Sequence, residues 1–432
     1  MKFASSLFAL STAALAVQAA QQQQKQQSVC SQDIIGTGQG DLDAIKGCKQ
    51  YQGTITVSNV SGSDLVLDGV ETVTGSVIIT DSSGLSRFSA PNLKSVSGEL
   101  KITQHLGLVK LELPALSEVQ RLTLRVLPEV EAIDFPAGLA KVNQVTIDDT
   151  PVATVNGLTF DTVGKLTLSQ NTLMKRFELP ASRVSESLLV VGNSHELDFE
   201  APQLLELQAA EFREVGTVNM PSVAHVEGDL SFHNSDMTSL NLDNLERVGG
   251  TMVIANNNHI ANMSFKKLEL VGGALSIANN TQLSTIKGYP SLSAVHGTVD
   301  LAGGFDKYEF PALQDVRGGM RIQTTNENFS CMDAEKTMKY GSVVKGTVWG
   351  CKSNMEEENM DPAVGQNDGS STSSDDNGST LLPKKQNAGN HEEDVAENPS
   401  SAQSAAALTT TSSIHYPSAM VFIVALLYGS LF

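Results

Sequence analysis

The chain has 432 residues and a formal net charge of −19. That charge excludes nucleic acid as a partner, because phosphate binding needs a surplus of basic side chains. Aromatics make up only 5% and Trp349 is the single tryptophan, so the core must be layered from Leu, Val and Ile.

Residues 1–19 read as a secretory signal: Lys2 gives a basic start, Leu7 to Val17 an apolar run, and Val17-Gln18-Ala19 a small-residue cleavage site. A Gln-rich spacer follows over residues 20–29. Cys30 and Cys48 then flank a short segment ahead of the repeats. Gly36-Thr37-Gly38-Gln39-Gly40 is glycine-rich, but no strand-to-helix context or lysine accompanies it, so it reads as a loop before the cap and not as a phosphate cradle.

From Val73 to Ile322 one pattern returns. A Val is followed by Gly or small polar residues and then by two apolar residues separated by one polar residue. Val73 leads to Val77 and Ile79, Val96 to Leu100 and Ile102, Val248 to Met252 and Ile254, and Val271 to Leu275 and Ile277. The markers are Val73, Val96, Val119, Val142, Val163, Val184, Leu207, Val226, Val248, Val271, Val295 and Val316, a period of about 22 residues. The copies at Val119, Val142 and Val163 are one residue short, and those at Val184 and Leu207 are weaker.

Each apolar pair has strand periodicity, one residue in and one out. Proline before many copies (Pro91, Pro114, Pro311) suits a corner, since it lacks an amide donor. One such strand cannot bury a core alone, whereas stacked copies can. The expected fold is therefore all-β: a right-handed parallel β-helix or leucine-rich solenoid over residues 30–352, the hand following from the preference of parallel crossovers. Phe88, Phe135, Phe177, Phe199, Phe265 and Phe310 recur at similar points and predict a buried phenylalanine stack.

Cys331 and Cys351 flank a segment after the last copy. Secretion makes disulfides the default for all four cysteines. Twelve rungs at about 4.8 Å separate the two ends by about 50 Å, and a disulfide needs Cα atoms within about 7 Å. Cys30–Cys48 and Cys331–Cys351 are thus expected, each closing a cap over an otherwise open end.

Asn-X-Ser/Thr sequons stand at Asn59, Asn262, Asn279, Asn328 and Asn377 and are expected to carry N-glycans. Asn279 has a competing structural reading. Asn256-Asn257-Asn258 and Asn279-Asn280 follow strands, where an asparagine side chain bonds the backbone of a turn.

Residues 353–404 change in composition to Ser, Thr, Asn, Asp and Glu, and predict a disordered acidic stalk. Residues 405–432 end in the apolar run 418–432, too short for a comfortable span of about 20 residues. Small residues, a polar spacer and a terminal apolar tail compose a GPI-attachment signal, with Ser404 as the attachment residue.

No His-Glu-X-X-His, Gly-X-Ser-X-Gly or P-loop occurs, and nothing calls for a metal or cofactor. The eight histidines are scattered and read as solvated outward positions. An enzymatic alternative is a wall-polysaccharide hydrolase or transglycosylase on a β-helix, with two carboxylates facing one groove. Its candidates are Asp148/Asp149, Glu129/Glu131 and Glu211/Glu214. Adjacent strand residues point to opposite faces, so Asp148 and Asp149 share a groove only at a turn. A third class is an adhesin or receptor for a glycan or protein.

Val248-Gly249-Gly250, the run Val271 to Leu283, Val316 to Gly319, Asn328-Phe329-Ser330-Cys331 and Asp41 to Cys48 carry a resemblance. The chain resembles, over about residues 28–352, the fungal GPI-anchored cell-wall organisation proteins with receptor-L-domain-like repeats. The resemblance implies a non-enzymatic surface glycoprotein, tethered to the plasma membrane through its lipid. It also implies partners among wall glycans or wall proteins, and a requirement in wall assembly and integrity.

Overall fold

The computed structural model describes residues 29–360. The signal segment, most of the Gln-rich spacer, the stalk from residue 361, Asn377, Ser404 and the apolar tail lie outside the described residues.

Every strand pairing is parallel among the described residues. Two ladders run side by side. In the first, the marker residues stack from Tyr51 through Val73, Val96 and Val119 to Val142. The ladder continues from Val163 through Val184, Leu207, Val226, Val248, Val271 and Val295 to Val316 and Val344. The repeat thus extends one rung beyond each end of the marker series. In the second ladder the first residue of each apolar pair stacks without a break from Ile34 through Leu100, Leu166, Leu230 and Leu275 to Trp349. A third, interrupted side carries short pairings such as Leu65–Phe88–Leu111 and Phe177–Phe199–Val218.

One rung shows how the core forms. Val271, Leu275, Ile277, Leu283 and Ile286 are all buried, and each such side chain contributes about 1.5–3 kcal/mol on leaving water. Only neighbouring rungs can supply that burial, so each rung depends on the two beside it.

Between the first two ladders the full-length rungs place a glycine at the corner, except the Val184 rung, which has Ser185-Glu186-Ser187 there. The N–H of Gly273 donates to the carbonyl of Gly250, and that of Gly297 to Gly273, both at 2.8 Å. A Cβ on Gly273 would lie 2.7 Å from the Gly250 carbonyl carbon and from the Thr251 nitrogen. This close approach explains the Val-Gly-Gly signature. Three consecutive rungs that lack a residue have no such corner, and their strands run straight through, as Glu118–Arg125, Lys141–Asp148 and Thr162–Ser169. The rung at Leu207 is also one residue short, but its strands Glu206–Leu207 and Ala210–Arg213 stay separate. The register shifts where a full rung meets a short one, at Val119/Arg121 and Val163/Lys165.

At the other end of the second-ladder strands each rung turns inward through one left-handed residue. Asn59, Asp81, Gln104, Val126, Asp149, Gln170, Glu214, Asn234, Asn256 and Asn279 occupy this corner with φ between 48° and 61°. The next residue points into the core; in most rungs it is polar (Ser82, His105, Thr150, Asn171, Ser235, Asn257, Asn280), and Val60, Leu127 and Val215 interrupt the polar column. Asn171 Nδ2 donates to the Ile147 carbonyl (2.9 Å) and to Asn193 Oδ1 (2.9 Å). Asn257 Nδ2 donates to the Phe232 carbonyl at 3.0 Å, and its Oδ1 accepts from the Ser235 N–H at 3.0 Å. Asn280 repeats this one rung on, against the Ile254 carbonyl. The asparagine column is therefore built from Asn280 and not from the sequon residue Asn279.

The six phenylalanines are all buried, but they do not form one stack. Phe88, Phe177 and Phe199 lie in the strands of the third side, whereas Phe135, Phe265 and Phe310 sit two residues later in the repeat. The aromatic contacts recruit other positions: Phe177–Phe199–Phe212–Phe232 is one run, and Phe265–Tyr289–Phe310 another. A slip of two residues keeps the inward face, so burial held while contact changed.

Both ends are closed by the expected bridges, Cys30–Cys48 with Cα atoms 5.6 Å apart and Cys331–Cys351 at 5.7 Å. The glycine-rich stretch after Cys30, expected to lack a strand-to-helix context, in fact joins the strand Ile34–Gly36 to the short helix Gln39–Asp43, and Asp41 Oδ2 accepts from the N–H groups of Thr37 and Gly38 at the join. At the far end Ser330 Oγ caps the helix Cys331–Ala334, and Val348–Lys352 pairs with the last full rung.

The chain stays folded beyond Lys352. The Met355 N–H donates to the Thr324 carbonyl at 3.1 Å, and Met360 packs on Val253, Ala255, Ala278 and Ala302. These four residues are on the outward face of the second ladder, yet they are buried, as are Ser276 and Asp300. Residues 353–360 thus form a strap over the outside of the last rungs.

Candidate functional site on the outer faces

With the interior filled, any function rests on the outward side chains. Two recesses interrupt them along the ladders, apart from a third of about 660 Å³ beside the C-terminal cap, lined by Tyr308, Phe310, Phe329 and Met338 among others. The first, about 550 Å³, lies beside the straight rungs and is lined by Ser97, Gln120, Asn143, Gly164 and Ser185, with Glu118 and Lys141 along one side. The second, about 540 Å³, lies on the second ladder next to the strap and includes Lys165, Glu211, Arg213, Ser231, His233 and Val253.

The carboxylate pairs of the enzymatic alternative do not converge. Asp148 points outward and is held by Arg125 (Nε–Oδ2 2.6 Å) and Ser169 (2.5 Å), while Asp149 occupies the left-handed corner. Glu211 is paired with Arg213 at 2.9 Å, and Glu214 is again a corner residue. Glu129 and Glu131 are exposed on the loop that leads to the third side. Neither they nor the Asp148/Asp149 pair lines either recess, and of the Glu211/Glu214 pair only Glu211 does.

Charge instead runs along the outside as rung-to-rung pairs, including Lys94–Glu71 (2.6 Å), Arg87–Glu112 (2.6 Å) and Lys141–Glu118 (2.7 Å). Hydrogen bonds from Arg87 and Ser89 hold the Glu112 carboxyl below its usual range. Lys266 and Ser264 do the same for Asp243. Near the strap, Asp300 is fully buried and is gripped by Arg321 through two bonds of 2.6 and 2.9 Å.

The histidines are not all solvated as expected. His105 and His233 are buried, and His105 Nδ1 lies 3.2 Å from the Ser82 carbonyl in the polar column. His195 and His259 flank Asp236, each at 3.3 Å. Among the described residues no set of three or more His, Cys, Asp or Glu side chains is arranged to hold a metal.

The sequon asparagines Asn59, Asn262 and Asn328 are exposed, and Asn279 is half-buried at its corner. The two recesses and the strap left no mark that sequence reading picked up as a site. The available signals were the three short rungs and the outward alanines at 255, 278 and 302.

No family model matches the chain, and no solved structure matches it. Curated relatives do. The chain is 30% identical over 339 residues to a protein named ecm33 from Aspergillus fumigatus, covering 78% of this chain and 82% of the relative. It is 30% identical over 359 residues to the cell wall protein ecm33 of Schizosaccharomyces pombe, covering 82% of each. A cell surface GPI-anchored protein of Arthroderma benhamiae is 29% identical over 329 residues, 76% of this chain and 84% of that one. Capped solenoid and relatives agree, and the chain belongs to the Ecm33 family of fungal GPI-anchored proteins of the cell surface and cell wall.

Proposed function

We propose that the protein is a non-enzymatic surface glycoprotein that organises the fungal cell wall as a rigid scaffold or binding module, tethered by a GPI lipid at Ser404. The observation that carries this reading is the unbroken stack from Ile34 to Trp349, which holds long outward faces in fixed register. The catalytic alternative lacks support, because Asp148 and Glu211 are ion-paired, Asp149 and Glu214 sit at corners, and Glu129 and Glu131 lie exposed on a loop outside both ladder recesses. N-glycans at Asn59, Asn262, Asn279, Asn328 and Asn377 fit a surface exposed to the wall.

Two measurements test the proposal. Purified protein incubated with β-glucan and chitin oligomers should release no product. Turnover that disappears when a carboxylate pair is amidated would replace the scaffold with an enzyme. Deleting residues 418–432 should send the protein to the medium, and retention of the truncated chain on membranes would remove the anchor from the proposal.

A further inference from the structure

Three consecutive rungs, at Val119, Val142 and Val163, are one residue short and bury their apolar pairs as the full rungs do. Their effect is external. Full corners rise on both sides of them, at Ser97-Gly98-Glu99 and Ser185-Glu186-Ser187, while the intervening strands Glu118–Arg125, Lys141–Asp148 and Thr162–Ser169 run flat. The result is a trough crossing five rungs, about 19 Å at the usual strand spacing. Its floor is thin. Val142 retains 7% exposure, where Val248, Val271 and Val295 have none.

Four of the five rungs contribute a polar side chain to the lining, Ser97, Gln120, Asn143 and Ser185, and the fourth rung in order contributes Gly164. At Gly164 a Cβ would stand 2.7 Å from Asn143 Oδ1 and 2.8 Å from Glu186 Oε1, so an amide and a carboxylate converge over a position that carries no side chain. Resting on the wall reading above, we infer that this trough is a binding site for one unbranched, uncharged polysaccharide chain lying along the solenoid axis.

The chemistry selects a glycan over other occupants. An extended peptide binds a sheet by adding to a free edge, and here both flanking ladders are already paired. It also needs apolar pockets for alternate side chains, and the valines of the lining, Val96, Val119, Val142 and Val163, are at most 7% exposed. A polyanion is disfavoured, because Lys141 is neutralised by Glu118 at 2.7 Å and Asp161 adds a further negative charge. Hydroxyl groups need donors and acceptors at regular intervals, and the rung spacing supplies them at about the length of one pyranose. The volume, about 550 Å³, is that of an ordinary ligand cleft. The trough offers no aromatic ring for stacking, so binding is weak for a single chain and gains by multivalency on a crowded surface.

The test uses the full chain in detergent, with linear β-1,3-glucan, chitin and mannan hexasaccharides as probes and saturation-transfer NMR as the readout. One hexasaccharide is expected to bind, with affinity rising with length up to about five units. Gly164→Gln, which fills the trough, and the double variant Gln120→Ala/Asn143→Ala are each expected to weaken binding at least tenfold. Ser231→Ala in the second recess should leave it unchanged. The inference is overturned if no hexasaccharide binds, or if the trough variants bind as well as the wild type. It is also overturned if the trough variants release a bound wall protein while glycan binding is absent. If the wild-type chain restores wall integrity to null cells yet binds no sugar, the trough assignment fails while the wall role stands.

Discussion

Replacing Asn257 by alanine tests the inner polar column at its best-connected point. Asn257 is fully buried, accepts from the Ser235 N–H and donates to the Phe232 carbonyl and to Asn280 Oδ1. The substitution strands two buried backbone groups, each costing about 1–3 kcal/mol. A partial rescue by water entering the small cavity brings the expected loss to about 3 kcal/mol. Because a stacked repeat can open locally, the assay is amide hydrogen exchange at Ser235, where about 3 kcal/mol corresponds to roughly a hundredfold faster exchange. Asn258→Ala, one residue on and exposed, should change stability by less than about 0.5 kcal/mol. Equal exchange at Ser235 in the two variants would refute the idea that this column pins the corners.

Gly273→Ala drives a Cβ into the Gly250 and Thr251 backbone and should cost about 1–3 kcal/mol in guanidinium melts; an unchanged midpoint would show that the rungs can part at no cost. Cys331→Ser with Cys351→Ser opens a link across 20 residues and should lose about 3 kcal/mol, with faster exchange confined to the last rungs. The pH dependence follows from Glu112, whose folded-state pKa lies below the ordinary 4.5 chiefly through Arg87. Its contribution is present above pH 4.5 and is lost as the pH falls through the folded value. Wild type should therefore lose more stability than Arg87→Gln between pH 4.5 and 3, and identical acid melts would discard that pair as a contributor. Met360→Asp should speed exchange in Leu275–Ala278, which lies beneath the strap; no change there would mean that the strap is not seated on the alanine column.

The stack was legible in the sequence because its constraints are periodic. A Val marker, a two-residue alternation and a fixed return length leave parallel stacking as the arrangement that buries every apolar pair, and the distance between the ends then decides the disulfides. Where the constraint was not periodic, the reading ran out. The phenylalanines share a face but alternate between two positions, so burial could be foreseen and contact could not. Asn279 and Asn280 are neighbours of the same type, and only the left-handed φ of the first sends the second inward. The strap uses a polar segment with two methionines, Met355 and Met360, which has no pattern until the alanines opposite are seen. The trough is made by an absence, one missing residue in each of three rungs, and becomes visible only when the flanking corners are placed beside it.

The most direct test of a non-catalytic wall role is the sensitivity of null cells to wall-perturbing dyes, measured with the chain restored. Cells carrying the wild-type chain and cells carrying Asp148→Asn, Asp149→Asn, Glu211→Gln and Glu214→Gln together should grow alike on the dye. Failure of the amidated chain to rescue, with equal amounts of it at the cell surface, would contradict the scaffold and point back to chemistry at those carboxylates.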